Sequence, residues 1–194
     1  MSPLPRPYFI SETDPPAKQS ILLSAMDLFA TRGVDGVTIR DIAARSGYSN
    51  PAMFKHFKTK DDLARSLFET CYRRLAATLM SPSADVRSAI TGALGLIETS
   101  PDSVHFVLEN LRRFWRDLPE DARDLGLPGA MRRLIERAQV RGEVRADVDA
   151  QLASALVLGL LAQIARMAHF HELPRPAGTL AQDLCHLIDR GLGA

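Results

Sequence analysis

Residues 38–63 constrain the fold more than any other segment, because their caps and helix breakers leave room only for short helices in close succession. Thr38 stands before an apolar helical pattern, and Asp41 lies three residues later, where its carboxylate completes a capping box. Gly47 readily takes the left-handed backbone conformation that ends a helix. We therefore predict two short helices joined by a tight turn, one near 38–45 and the next near 50–57.

The second of these helices has a packing side and an outward side. Met53, Phe54 and Phe57 recur at helical spacing and are expected to pack, and Pro51 fits the first turn. Two helices joined by such a turn can place the second in the major groove of DNA. The residues predicted to contact DNA bases or phosphates are Thr38, Arg40, Ser49, Asn50, Pro51, Ala52, Phe54, Lys55, His56 and Lys60.

The distribution of charge agrees with a polyanionic partner. The net charge is only +1, but residues 1–75 hold 11 Lys and Arg against 8 Asp and Glu, whereas residues 76–194 hold 13 against 15. Within residues 32–60 the balance is six against two. A solvated helical face also carries such charges; their position on the predicted helix-turn-helix favours binding to DNA phosphates.

A dense pattern of residues extends on both sides of this segment. It comprises Phe29-Ala30-Thr31-Arg32-Gly33, Gly36-Val37-Thr38, Asp41-Ile42-Ala43, Gly47-Tyr48-Ser49, Phe54-Lys55-His56-Phe57, Lys60 and Leu63. This pattern resembles the N-terminal DNA-binding domain of the TetR/AcrR family, which implies a transcriptional regulator, most simply a repressor of a DNA operator. Two positions depart from it: Pro51 stands where many members have Gly, and Phe54 stands where Tyr is frequent. Since a Tyr hydroxyl there usually reaches a phosphate, Phe54 is expected to keep the packing and lose that contact.

The rest of the chain is also helical in pattern. After Pro82 every long segment has a helical period and none alternates as a strand does. We predict an all-α fold of about nine helices, with an N-terminal three-helix helix-turn-helix DNA-binding domain and a C-terminal helical ligand-binding and dimerisation domain. The Pro-rich start predicts a flexible arm, in which Arg6 is a candidate for minor-groove contact. The predicted boundaries are 1–16 for the arm, 17–80 for the DNA-binding domain and 81–194 for the C-terminal domain.

Two late helices are candidates for self-association. The helix near 152–170 is apolar nearly all round and needs cover on more than one side, although Gln163 and Arg166 interrupt it and argue against a membrane span. The resemblance implies that a second copy supplies this cover in a homodimer, through a four-helix bundle that places two recognition helices on a pseudo-palindromic site. The predicted interface residues are Leu152, Leu156, Gly159, Leu160, Leu180, Leu184, Leu187 and Ile188.

The resemblance further implies a small-molecule effector, partly apolar, held among the middle helices and releasing the protein from its operator. The candidate pocket residues are Phe106, Phe114, Trp115, Met131, Gln163, Met167 and His169. Ordinary core packing explains the same apolar residues equally well. The alternative function is therefore a constitutive dimeric DNA-binding protein without an effector.

The remaining reactive residues form no catalytic or metal-binding motif in the sequence. Cys71 and Cys185 lie far apart without metal-ligand spacing, so both are expected to be reduced, packed thiols, as suits a cytoplasmic protein. His169, His171 and Glu172 are close in sequence, but two His residues at this spacing lie on different faces of a helix. A Gly-rich phosphate loop, a nucleophile elbow and paired catalytic carboxylates are missing. We expect no enzyme activity, cofactor or metal, and we see no signal peptide.

Overall fold

The computed structural model describes residues 7, 9–80, 84–124 and 126–192, and over these residues the fold is all-α, as predicted. Ten α-helices are found instead of about nine, because a short helix forms in the connection between Pro119 and Pro128. Two 3-10 turns cover Trp115–Asp117 and Ala177–Leu180. The helices are α1 Pro16–Arg32, α2 Ile39–Ser46, α3 Asn50–Phe54, α4 Lys60–Met80, α5 Val86–Thr99, α6 Pro101–Phe114, α7 Glu120–Asp124, α8 Leu127–Val140, α9 Ala150–His169 and α10 Ala181–Leu192.

The chain divides into two compact units. The first contains residues up to 72 together with 106–118, and the second contains 73–105 and 119–194. This division differs from the boundary expected after residue 80, because the second half of α6 packs with the helix-turn-helix. Sequence position did not reveal this, since α6 lies well inside the predicted C-terminal domain.

Aromatic pairs explain why the second half of α6 belongs to the first unit. Phe106 stacks on Phe29 of α1, with ring centroids 5.9 Å apart, and Phe114 packs on Phe68 of α4 at 5.4 Å. Both α6 rings are almost completely buried. Such pairs contribute roughly 0.5–1.5 kcal/mol each beyond the area that they bury. They fix α6 against α1 and α4 within this unit.

Part of the expected N-terminal arm is packed. Phe9 and Ile10 are buried, and the Ile10 amide donates to the Pro7 carbonyl over 3.0 Å. Helix α1 then starts at Pro16, because proline suits the first turn of a helix. Residues 9 and 10 are therefore packed within the segment expected to be an arm; the arm itself stays a prediction, and Arg6 lies outside the described residues.

The second unit is built around α8 and α9, which pack on each other and on α5. The carboxylate of Asp149 accepts a hydrogen bond from the Leu152 amide over 2.7 Å and caps the start of α9. Ser154 is buried on α9 and donates to the Pro128 carbonyl at the start of α8. The buried side of α9 consists of small and branched residues, which lets the helices approach closely: Ala153, Ser154, Val157, Leu161 and Ala165.

Candidate nucleic-acid interface

Helix α2 begins with the predicted capping box. The Thr38 hydroxyl accepts from the Asp41 amide over 3.2 Å, and the Asp41 carboxylate accepts from the Thr38 amide over 2.8 Å. Hydrogen bonds from the Thr38 hydroxyl and amide hold the pKa of Asp41 below its ordinary value. Gly47 ends the helix with φ at 76°, the left-handed conformation that favours glycine. The capping and termination of α2 are confirmed.

Helix α3 is shorter than predicted. It ends at Phe54 instead of near Phe57, and the chain continues as a turn in which the His56 and Phe57 amides both donate to the Met53 carbonyl. Met53 and Phe57 are buried and anchor the helix, as expected. Phe54 is 52% exposed, so the expectation that it packs with them is wrong. The reason is register, since neighbouring residues of a helix point about 100° apart.

The predicted DNA-contacting residues lie on α2, α3 and the adjoining turns. Six of the ten are exposed, and the other four are half-buried. The exposed ones are Thr38, Arg40, Ser49, Pro51, Phe54 and Lys55, and the half-buried ones are Asn50, Ala52, His56 and Lys60. The surface formed by these residues is called the α3 face below.

The cations between residues 32 and 60 differ in whether they have a protein partner. Arg45 pairs with Asp27 at 2.5 Å, and Arg32 lies 3.9 Å from Asp41. In contrast, three exposed cations in this range have side chains that make no hydrogen bond or ion pair with any residue that the structure describes. They are Arg40, Lys55 and Lys58. These unpaired charges lie on or beside α2 and α3, which is where a phosphate backbone would meet them.

Lys60, which was predicted to contact DNA phosphate, makes hydrogen bonds within the protein. Its ammonium donates to the Val34 and Val37 carbonyls over 2.7 and 2.8 Å, so it ties the start of α4 to the segment that precedes α2. Two of its three protons are engaged in this way. Lys60 therefore positions the helix-turn-helix, and its phosphate contact stays a prediction.

Arg113 is a positioning residue that the sequence did not reveal. Its guanidinium donates to both carboxylate oxygens of Asp35, over 2.7 and 2.8 Å, and to Asp61 over 3.1 Å. This hydrogen bonding and the positive charge lower the pKa of Asp35. Arg113 thus joins α6 to the loop before α2 and to the start of α4. No pattern near Arg113 signals it, because its partners are 78 and 52 residues away in the chain.

Comparison with known proteins identifies this arrangement. Residues 21–67 match the family model described as bacterial regulatory proteins, tetR family. Residues 21–67 therefore carry the DNA-binding domain of the TetR family. Those matched residues cover most of α1, all of α2 and α3 and the first part of α4, and they include every residue of the α3 face.

TetR-family relatives are named as repressors. The HTH-type transcriptional repressor Rv3405c of Mycobacterium tuberculosis is 44% identical over 62 residues, which are 32% of this chain and 33% of the relative. This chain therefore spans about a third of the length of the first relatives that it matches. The HTH-type transcriptional repressor KstR2 of Rhodococcus jostii is 26% identical over 151 residues, covering 70% of this chain and 72% of the relative.

Solved TetR-family structures share the fold over most of the chain. The ketosteroid transcriptional regulator KstR2 of Mycobacterium tuberculosis aligns with a TM-score of 0.74 at 17% identity, covering 91% of this chain and 95% of that one. A tetR-family regulatory protein of Rhodococcus RHA1 aligns with a TM-score of 0.75 at 21% identity, covering 95% and 99%. At these identities the likeness concerns the fold.

An exposed apolar surface lies in the second unit of this protein. On α9, Leu152, Leu156 and Leu160 are 70%, 48% and 36% exposed, and Leu187 of α10 is 66% exposed. We call these four residues the α9–α10 face. Gly159 is also exposed and Leu180 is half-buried. The other two predicted interface residues, Leu184 and Ile188, are buried in the chain's own core, because α10 turns that side inward.

By length and composition, one of the described helices could cross a membrane, and this helix is α9. Its outward side is not purely apolar, however. Gln163 and Arg166 lie there and hydrogen-bond to each other over 3.2 Å. Burial on the opposite side agrees with the predicted packed helix.

The predicted effector residues do not gather in one unit. Phe106, Phe114 and Trp115 are in the first unit. Phe106 and Phe114 are core residues of the aromatic pairs described above, and the Trp115 ring contacts the Tyr72 ring edge-on at a centroid distance of 6.0 Å. In the second unit Met131 is fully buried, Gln163 is exposed and Met167 is half-buried. Phe106, Phe114 and Met131 are thus buried core residues, and their contact with an effector stays a prediction.

His169 has a more specific environment than the sequence indicated. Its ring stacks on His105 with centroids 4.0 Å apart, and its Nδ1 lies 2.8 Å from Asp102. His105 is buried and Phe170 packs edge-on against both rings. The described residues contain no group of three or more His, Cys, Asp or Glu that could hold a metal ion. Cys71 and Cys185 are buried and do not form a disulfide with each other, as expected.

Proposed function

We propose that this protein is a transcriptional repressor that binds a pseudo-palindromic DNA operator as a homodimer. The observation that carries the proposal is the α3 face, on which unpaired cations surround an exposed short helix. A phosphate backbone is the partner that such unpaired charges favour. Relatives named as transcriptional repressors support the same function. As a bacterial operator-binding protein it acts in the cytoplasm, where the operator lies.

The contacts follow from the position of each side chain. Helix α3 enters the major groove, so that Asn50, Pro51, Ala52, Lys55 and His56 face base edges or nearby phosphates. Thr38, Arg40, Ser49 and Lys60 hold the sugar-phosphate backbone at the helix ends. Backbone contacts set the register, whereas the α3 side chains select the sequence.

Dimerisation is proposed through the α9–α10 face. One short helix reads few bases, and two copies about a helical turn apart multiply both affinity and selectivity. The exposed leucines support this assembly, because Leu152, Leu156 and Leu160 recur at four-residue spacing on one side of α9, and an exposed apolar patch is typical of an interaction site.

The effector is proposed to be a small, partly apolar molecule bound in the second unit. Structural neighbours include a ketosteroid regulator, a fatty acid degradation regulator and a gamma-butyrolactone receptor, by their descriptions. Met167 and His169, which are half-buried, offer an apolar contact and a polar group for such a molecule. The alternative is a constitutive DNA-binding dimer without an effector, in which the buried Met131 serves only as core packing. A ligand that raises the melting temperature and weakens operator binding would decide for the effector.

The direct test is selection of bound fragments from a random DNA pool by the purified protein. It is repeated with Lys55→Ala combined with His56→Ala, and with Arg74→Ala as a control, since Arg74 is exposed and lies in the second unit. We expect an inverted repeat that the double variant loses and the control retains. Unpatterned DNA that is released by modest salt would contradict the proposal.

A further inference from the structure

We propose that the phenyl ring of Phe54 reads the C5-methyl group of a thymine in each half-site of the operator. The inference rests on the proposed function, in which α3 enters the major groove, and it adds a base preference. Its starting point is that Phe54 is 52% exposed in a unit whose other large apolar side chains are mostly buried. In the described part of that unit, Leu23 on α1, at 43%, is also a large exposed apolar residue.

The position of the ring follows from the anchoring of α3. Met53 and Phe57 are 1% and 6% exposed, so the side of the helix that they share faces the core. Phe54 is therefore turned away from it, on the side of Pro51, which lies three residues earlier and is also exposed. Covering the exposed half of this ring with an apolar partner is favourable, because it removes apolar surface from water.

The surrounding charge specifies the kind of partner. Arg40, Lys55 and Lys58 are exposed cations without a protein partner in the described residues, and Lys55 follows Phe54 in the chain. An apolar protein surface would leave these charges unsatisfied, whereas DNA supplies phosphates beside the groove. The ring and the cations therefore contact the same partner, which is DNA.

Chemistry then selects the group that the ring contacts. A phenyl ring has no hydrogen-bond donor or acceptor, so it does not read the polar edges of the bases. In the major groove the apolar group is the C5-methyl of thymine, and Phe is among the side chains that contact it. The operator is accordingly expected to carry an A·T pair where α3 places Phe54, in both half-sites.

The test uses the selected operator with single thymines replaced by deoxyuridine, which removes only the methyl group. At one symmetry-related pair of positions, the wild-type protein should lose about fourfold in affinity per half-site, corresponding to ~0.8 kcal/mol per buried carbon group. The Phe54→Ala variant should bind the thymine operator more weakly and show no loss with deoxyuridine. Leu23→Ala, the exposed apolar control on α1, should behave as wild type.

Several outcomes would overturn the inference while leaving the proposed function standing. The inference fails if the wild-type affinity is unchanged by deoxyuridine at every position. It also fails if the Phe54→Ala variant loses as much affinity with deoxyuridine as the wild type does. An equal loss by Phe54→Ala on all sequences would assign the ring to the sugar-phosphate backbone. Retention of operator binding by Phe54→Ala, with loss of binding to phosphatidylglycerol vesicles, would assign the ring to a lipid surface. Wild-type binding without any sequence preference would overturn both proposals.

Discussion

Replacing Leu152 and Leu187 with Glu should convert the proposed dimer into a folded monomer. The two side chains are 70% and 66% exposed within one chain, so the fold of the single subunit does not depend on them. They make up more than half of the leucine surface that the α9–α10 face leaves exposed. A charged side chain at these positions loses the apolar contact and must also be desolvated on association.

The magnitude can be worked from the exposed fractions. The α9–α10 face leaves uncovered about two leucine side chains per subunit, so covering both subunits is worth on the order of 7–13 kcal/mol. Association itself costs ~4–15 kcal/mol in lost freedom of motion. Because the gain from covering the leucines is of similar size, it makes up a large part of the favourable free energy of dimerisation. Losing more than half of it should raise the dimer dissociation constant by at least about a thousandfold, at about 1.4 kcal/mol per tenfold change.

Analytical ultracentrifugation of the wild type and the double variant measures this change directly. Val140→Glu is the matched control, because Val140 is 90% exposed on α8, outside the α9–α10 face. Circular dichroism should show unchanged helix content in all three proteins. A double variant that dimerises as tightly as the wild type would refute the assigned face, and so would a wild type that stays monomeric at high concentration.

Three other predictions concern single residues. Lys55→Ala should weaken operator binding by ~1–3 kcal/mol if it makes a base contact; an equal loss on random DNA in fluorescence anisotropy would show a phosphate contact instead. Asp85→Ala should lower the free energy of unfolding by ~0.5–2 kcal/mol, because Asp85 accepts the Ser88 amide over 2.7 Å as the cap of α5. Since hydrogen bonds from Ser88 lower the pKa of Asp85, this stabilisation should be lost as pH falls below about 3.8, and a loss equal at neutral and acid pH would contradict it. Arg113→Gln should weaken operator binding without changing its salt dependence, because Arg113 holds Asp35 and Asp61 in place. Arg112→Gln is the control; a shallower slope of log affinity against log salt for Arg113→Gln than for Arg112→Gln would mean that Arg113 touches phosphate.

Much of the helix-turn-helix could be predicted because its signals are local. The capping box of α2 and its Gly47 terminator are set by bonds between residues at most four apart, and both have the expected geometry. Helix α3 was predicted with the correct start at Asn50 and too late an end. Its last turn lacks a strong local terminator, so packing of Phe57 decided where the helix stops.

The side on which an apolar residue lies was harder to predict. Phe54 and Leu184 both fit apolar patterns, yet Phe54 is exposed and Leu184 is buried within the chain. Helical period tells which residues share a face, but it does not tell which face meets the core when more than one is apolar. For α10 this distinction also reduced the predicted interface to Leu187.

The sequence alone determined the all-α class, the helix-turn-helix and the basic character of the α3 face, since propensity, caps and charge act over a few residues. Only the tertiary structure decided that Arg113 holds Asp35 and Asp61, that Lys60 ties α4 to the loop before α2, and that the end of α6 packs with the first unit. These contacts join residues far apart in the chain. Their partners become neighbours only after the helices have packed, so no local pattern announces them.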